Sequence, residues 1–419
     1  MRSFTFVHAA DLHLDSPFVG VTAQAPELSS LLRESTFRAF DALVDLCIRE
    51  EALFLIIAGD AYDGADRSLR AQLRFRDGLE RLAAAGIRTF VAHGNHDPLA
   101  GWSNSINWPE SVTVFGADRV ETHTVSDDRG PVATVSGISF RERNEQRRLH
   151  HEFTSPDTSL FNVAVLHCNC GGDRRHDPYS PCTVQDLESL GFDYWALGHV
   201  HERKVLNLRP PIVYPGNTQG RSARELGERG CYVVSMDATG SAELRFRELD
   251  TVRWDTANVD ITTVATMDEL VARLERSLDD SSDRAQGRPV VARMTLVGSG
   301  PLYGELRRAG ATEDLQERLR AIGLHRRPAV WLEQITNRCR PDIDVTARAN
   351  EGDLLGEVLR VALSMQAGGD ALESTRAALS ELYHHSRLRR VLDAPDGEEL
   401  QDVLREAERL CIDLLEPER

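Results

Sequence analysis

Five short apolar runs in this chain break off in the same way, in a cluster of aspartate, histidine or asparagine. They are FTFVHAADLH, ALFLIIAGDAYD, IRTFVAHGNHD, FNVAVLHCN and FDYWALGHVH. Nearly unbroken apolar runs rich in β-branched and aromatic residues read as strands buried on both faces. In the first half they alternate with stretches at 28–50 and 67–85 whose apolar residues recur at helical spacing. That alternation is the pattern of stacked α and β layers. Polar clusters at the C-terminal ends of strands are where such sheets place their sites.

The fold class expected is therefore α/β. VTVFGA, PVATVSGISF, FNVAVLHCN, FDYWALGHVH, PIVYPGN and CYVVSMD are expected to form a second sheet facing the first, giving a four-layer α-β-β-α sandwich over residues 1–250. The texture changes near Val252. TMDE, Thr266 to Glu269, is a capping box that opens an amphipathic helix carrying Leu270, Val271, Leu274 and Leu278. With the strands PVVARMTLVGSG and AVWLEQI it reads as a βαβααβ unit, a small α+β domain over 251–346. Residues 347–419 read as a helical, acidic tail with two apolar stripes, one from Leu354 to Ala362 and one from Leu400 to Leu414.

Composition narrows the function classes. No apolar run approaches the roughly 20 residues of a membrane span, and MRSFTFVHAADLH lacks the basic head and apolar stretch of a signal peptide. A cytoplasmic protein without a membrane partner is expected, with its 7 cysteines reduced. The net charge of −17 argues against a surface that is basic throughout, as indiscriminate nucleic-acid binding would need.

The polar clusters hold the residues of a two-metal site. Two divalent ions roughly 3.5 to 4 Å apart need a bridging carboxylate and further imidazole, carboxylate and amide ligands. Asp60 is the natural bridge. Asp11, His13 and His201 would complete one ion, and Asn95, His167 and His199 the other. A hydroxide between the ions would attack phosphorus in line. His96 is left over, and fits a general acid for the leaving oxygen. Asp63, three residues beyond Asp60, is the candidate partner for its other nitrogen. Asp97 reads as a loop-orienting residue, and Arg221 and Arg224 as candidate phosphate contacts. The stretch VAVLHCNCGGDRRHD competes locally as a zinc site through His167, Cys168, Cys170 and His176. The oxygen-rich site needs only His167 from it, so Cys168 and Cys170 read as packing residues, while His176 and Asp177 read as lining the approach.

The order DLH, GD, GNHD, H, GHVH resembles the calcineurin-like metallophosphoesterase superfamily. ADLHLDSPF, GFDYWALGHVH and YPGNTQGR resemble its bacterial DNA-repair exonuclease branch, SbcD-related and YhaO-like. The resemblance implies the metallophosphoesterase sandwich with a capping domain, and the same roles for the ligands and for His96. It implies a DNA exonuclease or endonuclease with two Mn²⁺ ions, acting beside an SMC-like ATPase subunit that the tail could dock, with a homodimer as a further possibility. A phosphatase, a cyclic-nucleotide phosphodiesterase or a nucleotide pyrophosphatase would use the same ligands, since ligand sets choose ions and not substrates.

Overall fold

The computed structural model describes residues 2–16, 26–64, 68–100, 106–156, 159–172, 177–367, 370–384 and 397–415. Strands β1 (Phe4–Ala9), β2 (Phe54–Ala58), β3 (Arg88–Ala92) and β4 (Val112–Val114) lie side by side and parallel. Helices α1 (Pro26–Arg49) and α2 (Leu69–Ala84) connect β1 to β2 and β2 to β3, the crossover that parallel neighbours require. A second sheet, in the order β5-β6-β7-β8-β10-β9, is built from β5 (Glu121–Asp127), β6 (Gly130–Gly137), β7 (Phe161–His167), β8 (Tyr194–Gly198), β9 (Lys204–Leu208) and β10 (Pro211–Tyr214). Helix α3 (Val184–Glu188) joins β7 to β8. The chain then returns to the first sheet. There β11 (Gly230–Met236) pairs antiparallel with β1, and β12 (Ala242–Glu248) closes the edge.

Alternation along the strands makes the layers. Phe6, Phe54, Ile56 and Phe90 from the first sheet share one core with Val135, Phe161, Val163, Val165 and Tyr194 from the second. The residues between them, Val7, Leu55, Ile57 and Val91, face the other way and pack with Phe37, Phe40, Leu43 and Phe75 of α1 and α2. On the outer face of the second sheet Ala164, Leu166, Trp195 and Leu197 meet Leu187 of α3 and Phe153. The expected four layers are present.

The allocation of strands differs from expectation in two places. VTVFGA and CYVVSMD lie in the first sheet: Val112 to Val114 pair with Thr89 to Val91, and Tyr232 to Met236 pair with His8 to Phe4. An apolar run shows that a strand is buried on both faces, but not which of two stacked sheets buries it. Strands β5, β9 and β12 had no sequence signal of their own. Each is an outermost strand of its sheet with alternating or intermediate exposure, so the apolar run that marks central strands is missing.

The chain divides into two compact units, Met1–Thr256 with Asp280–Ala292 and Gly323–Glu333, and Ala257–Asp279 with Arg293–Ile322 and Gln334–Arg419. Beyond the sandwich the elements follow in the order β13 (Arg253–Asp260), α4 (Met267–Arg284), β14 (Val290–Val297), α5 (Tyr303–Leu306), α6 (Ala311–Leu324) and β15 (Val330–Asn337), with a sheet ordered β13-β14-β15. The capping box is formed. The Glu269 N–H donates to Thr266 Oγ1 at 3.2 Å, and Glu269 Oε2 accepts from the Ala265 and Thr266 N–H groups at 2.8 and 3.3 Å. Four helices end the chain: α7 (Val345–Arg348), α8 (Leu354–Gln366), α9 (Asp370–His384) and α10 (Gly397–Leu415). Leu355 and Leu359 of α8 bury against Ile412 of α10, while Leu354 and Leu414 stay exposed. No helix among the described residues is long and apolar enough to cross a membrane.

The ring of Phe54 stacks on Phe6 with centroids 4.8 Å apart within the inter-sheet core. Phe54→Ala is expected to lower stability by about 3–5 kcal/mol, whereas Leu208→Ala, at an exposed edge position, should stay within about 0.5 kcal/mol. Urea unfolding of the two variants checks the contrast.

Candidate metal centre

The parallel strands deliver their C-terminal ends to one edge of the sandwich. Asp11 and His13 follow β1, Asp60 and Asp63 follow β2, Asn95 and His96 follow β3, His167 ends β7, and His199 and His201 follow β8. Turning these side chains inward distorts the backbone. Asp11, His13, Asp60 and His199 have φ of 52°, 44°, 52° and 101°, a left-handed region that costs a non-glycine residue of order 1–3 kcal/mol. Hydrogen bonds between loops offset that strain. The Asp11 N–H donates to Gly59 O, and the His13 N–H donates to Asp60 O, both at 3.0 Å. Buried Asp97 accepts from the Gly94 and Ala61 N–H groups, each at 2.8 Å, and so ties the β2 loop to the β3 loop, the orienting role expected of it.

The donor atoms converge in overlapping groups. Ligand atoms of Asp11, His13 and His201 lie within 4.8 Å of one another, and so do those of Asp11, Asp60 and His167. Asn95 Oδ1 stands 3.1 Å from His167 Nε2 and 3.2 Å from His199 Nδ1. The Asp60 carboxylate lies between the groups, with Oδ2 3.4 Å from His167 Nε2 and 4.0 Å from His13 Nε2. His13 Nε2 and His201 Nε2 are 3.1 Å apart. Two nitrogens about 2.0–2.1 Å from a common ion, at angles of roughly 90–110°, stand about that far from each other.

Outer contacts turn each imidazole. His167 Nδ1 donates to Ala58 O at 2.9 Å, His199 Nε2 to Asp177 O at 3.0 Å, and His13 Nδ1 to Asp63 Oδ1 at 2.8 Å. In each case the other nitrogen is left to face the cluster, the arrangement that metal-binding histidines use. Glycines make the close approach possible. A Cβ on Gly59 would lie 2.1 Å from His167 Nδ1, and one on Gly94 would lie 2.3 Å from Asp60 Oδ1.

The electrostatics call for a cation. Asp11 and Asp60 are each 1% exposed, and among the described residues neither pairs with an arginine or lysine. Isolated buried carboxylates are costly unless a cation compensates them. Burial pushes the Asp11 carboxyl above its usual range. Burial acts the same way on Asp60, but the charge and hydrogen bond of His167 outweigh it and hold Asp60 low. On His167 burial is outweighed in turn by Asp60, so this imidazole is pushed up. A divalent cation would supply the charge that His167 otherwise lends Asp60, and divalent cations fit a donor set of carboxylate, imidazole and amide.

Beside this cluster, Asp63 joins three groups. Its Oδ1 accepts from His13 Nδ1 and from His96 Nδ1, the latter at 2.7 Å, and its Oδ2 accepts from Arg221 Nη1 at 2.9 Å. Burial lowers the His96 pKa, but the hydrogen bond to Asp63 and the charges of Asp60 and Asp63 prevail, and the net shift is upward. Arg221 also donates to Ser16 Oγ at 2.9 Å, so the guanidinium expected to reach for phosphate is engaged inside the protein. The sequence reading gave Glu225 no role. Its Oε1 accepts from His201 Nδ1 at 2.6 Å.

Cys168 and Cys170 take no place among these donors. Cys168 Sγ lies 3.7 Å from Cys182 Sγ, Tyr214 hydrogen-bonds the backbone of both Cys168 and Cys170, and all three cysteines are buried free thiols behind the second sheet. His176 lies outside the described residues. The side chain of Asp177 is exposed, and it is the Asp177 carbonyl that meets His199.

Comparison with known proteins adds the lineage. Residues 4–203 match the family described as calcineurin-like phosphoesterase, and residues 254–340 match the one described as metallophosphoesterase YhaO, middle domain. The chain is 33% identical over 410 residues to a Bacillus subtilis protein named uncharacterized metallophosphoesterase YhaO, covering 97% of each chain. It is 27% identical over 236 residues to the DNA double-strand break repair protein Mre11 of Thermoplasma acidophilum, covering 53% of this chain and 61% of that one. It is 25% identical over 253 residues to the Mre11 protein of Aeropyrum pernix, covering 57% and 59%.

Gly59, at φ +100° and against His167, is one of the tight points of this construction. Gly59→Ala is expected to displace the His167 ring and to cost about 1–3 kcal/mol, while Gly86→Ala, where no atom lies within 4 Å of the new Cβ, should leave the ring in place. Histidine imidazole NMR signals and thermal unfolding check both.

Proposed function

Since the chain belongs to the calcineurin-like phosphoesterase family, whose members are metal-dependent phosphoester hydrolases, we propose that it is a two-metal phosphodiesterase that cleaves DNA, with Mn²⁺ as its ion. The observation that carries this reading is the convergence of donors from five strand ends on Asp11 and Asp60, two buried carboxylates that pair with no arginine or lysine among the described residues. Asp60 would bridge the ions. Asp11, His13 and His201 would hold one, and Asn95, His167 and His199 the other. When bound, such ions activate water as the nucleophile and neutralise charge on the phosphoryl oxygens.

His96 supplies the proton. Held through Nδ1 by Asp63, whose hydrogen bond and charge favour the protonated ring, it leaves Nε2 to donate to the departing oxygen. DNA is favoured over small diesters because relatives named as DNA double-strand break repair proteins match across 53% and 57% of the chain. For the acidic helical region we propose docking on an SMC-like ATPase subunit in the cytoplasm. Exposed Leu354, Val403, Leu410 and Leu414 on α8 and α10 would supply apolar contacts.

Mn²⁺-dependent cleavage of labelled single- and double-stranded DNA, assayed beside bis-p-nitrophenyl phosphate and cyclic nucleotides, tests the substrate. Asp60→Ala should lose metal and activity together. His96→Ala should keep both ions and lose about 10²–10⁴-fold in rate. Hydrolysis of small diesters with none of DNA would overturn the substrate and leave the family chemistry standing. The acid role also has a pH signature. A raised His96 pKa keeps the imidazolium in place as pH rises, and activity falls as pH passes through it. Asp63→Asn, in protein that still holds both ions, should move that alkaline fall to lower pH. Deleting 347–419 should abolish capture of the ATPase and spare metal-dependent cleavage.

A further inference from the structure

His201 is gripped from the loop between β10 and β11. The Asn217 N–H donates to His201 O at 3.3 Å, the same carbonyl accepts from Arg229 Nη1, and a Cβ on Gly216 would lie 2.6 Å from it. Glu225 completes the hold on the side chain. Its Oε1 accepts from His201 Nδ1 at 2.6 Å, its Oε2 accepts from the Arg221 N–H at 2.6 Å, and its side chain is only 12% exposed. Arg221 closes the circuit. Its Nη1 donates to Asp63 Oδ2 at 2.9 Å, and its Nη2 lies 3.9 Å from Glu225 Oε1. One guanidinium thus stands between two carboxylates, and each carboxylate holds the Nδ1 of a histidine whose Nε2 enters the same cluster.

We propose that Glu225 is a positioning residue for the ion bound by Asp11, His13 and His201, and that Arg221 serves the site by tying Glu225 to Asp63 instead of touching phosphate. The proposal rests on the two-ion reading given above. An imidazole carries one proton when neutral, so a carboxylate on Nδ1 fixes it there and turns the Nε2 lone pair to the ion. Asp63 does this for His13, and Glu225 does it for His201. Losing Glu225 frees the His201 ring to rotate and to exchange tautomers, and the cost falls on one ion only. The Asn95, His167 and His199 group is held by other partners, Ala58 O and Asp177 O. Arg221→Lys puts a single point charge where a fork reached two carboxylates, and should weaken the same ion to a smaller degree.

The test is a Mn²⁺ titration of metal-free full-length protein, with bound and free ion counted by electron paramagnetic resonance. It is read beside ¹⁵N–¹H correlation spectra of the histidine rings in wild type, Glu225→Gln and Glu225→Ala. Wild type should take up two ions and show His201 protonated on Nδ1. Glu225→Ala should bind one ion about 10–100-fold more weakly, leave the other unchanged, and lose the Nδ1–H signature of His201. Glu225→Gln, which keeps the shape and one acceptor, should fall between and decides the matter if the alanine variant does not fold. Two ions bound as in wild type by the variants, with the His201 tautomer unchanged, would overturn the role of Glu225 alone. A wild type that takes up no pair of ions would overturn the two-ion reading and this proposal with it.

Discussion

Two carboxylates removed from water, Asp11 and Asp60, set the terms for the rest of this protein. Each is 1% exposed at the end of a buried strand, and a buried carboxylate persists only where positive charge or donated hydrogen bonds compensate it. The Asp11 carboxylate accepts the His199 N–H, and Asp60 accepts the His96 N–H. The remaining compensation is left to imidazoles and to whatever cation they gather. The glycines follow from the same constraint. Gly59, Gly94 and Gly198 all border His167, and a side chain on any of them would collide with that ring.

Strain at the edge is balanced by order in the sheets. Asp11, His13, Asp60 and His199 hold left-handed backbone in the loops that carry the donors, at of order 1–3 kcal/mol each, and only a rigid support can hold them there. The inter-sheet aromatic core, with Phe6 stacked on Phe54 and edge-on to Tyr194, supplies that support from the opposite end of the strands, where Phe54 opens β2 and Tyr194 opens β8. The arrangement explains why the donors come from both sheets. A single sheet end offers too few residues, whereas two facing sheets bring five strand termini together.

Much of this was legible in the chain, because a buried strand and a polar terminus each leave a local mark. Asp11, His13, Asp60, Asn95, His96, His167, His199 and His201 are all brought to one edge, and Asp63 reaches His96. What escaped has physical reasons. Glu225 sits 24 residues from His201 with no periodic relation to it, and only Gly216 and Gly220, which let the loop pack tightly, hinted at a close approach. Cys182 joined Cys168 through a loop whose path no pattern predicts. The half-exposed outer strands lacked an apolar run, and the assignment of β4 and β11 to a sheet depended on pairing that one strand cannot reveal.

Crystals of the protein soaked in Mn²⁺, with anomalous scattering recorded at the manganese edge, test the central claim most directly. Two peaks roughly 3.5–4 Å apart are expected on either side of Asp60, one against Asp11, His13 and His201, the other against Asn95, His167 and His199. A single peak away from Asp60, or ions gathered at Cys168 and Cys182 with none at the carboxylates, would contradict it.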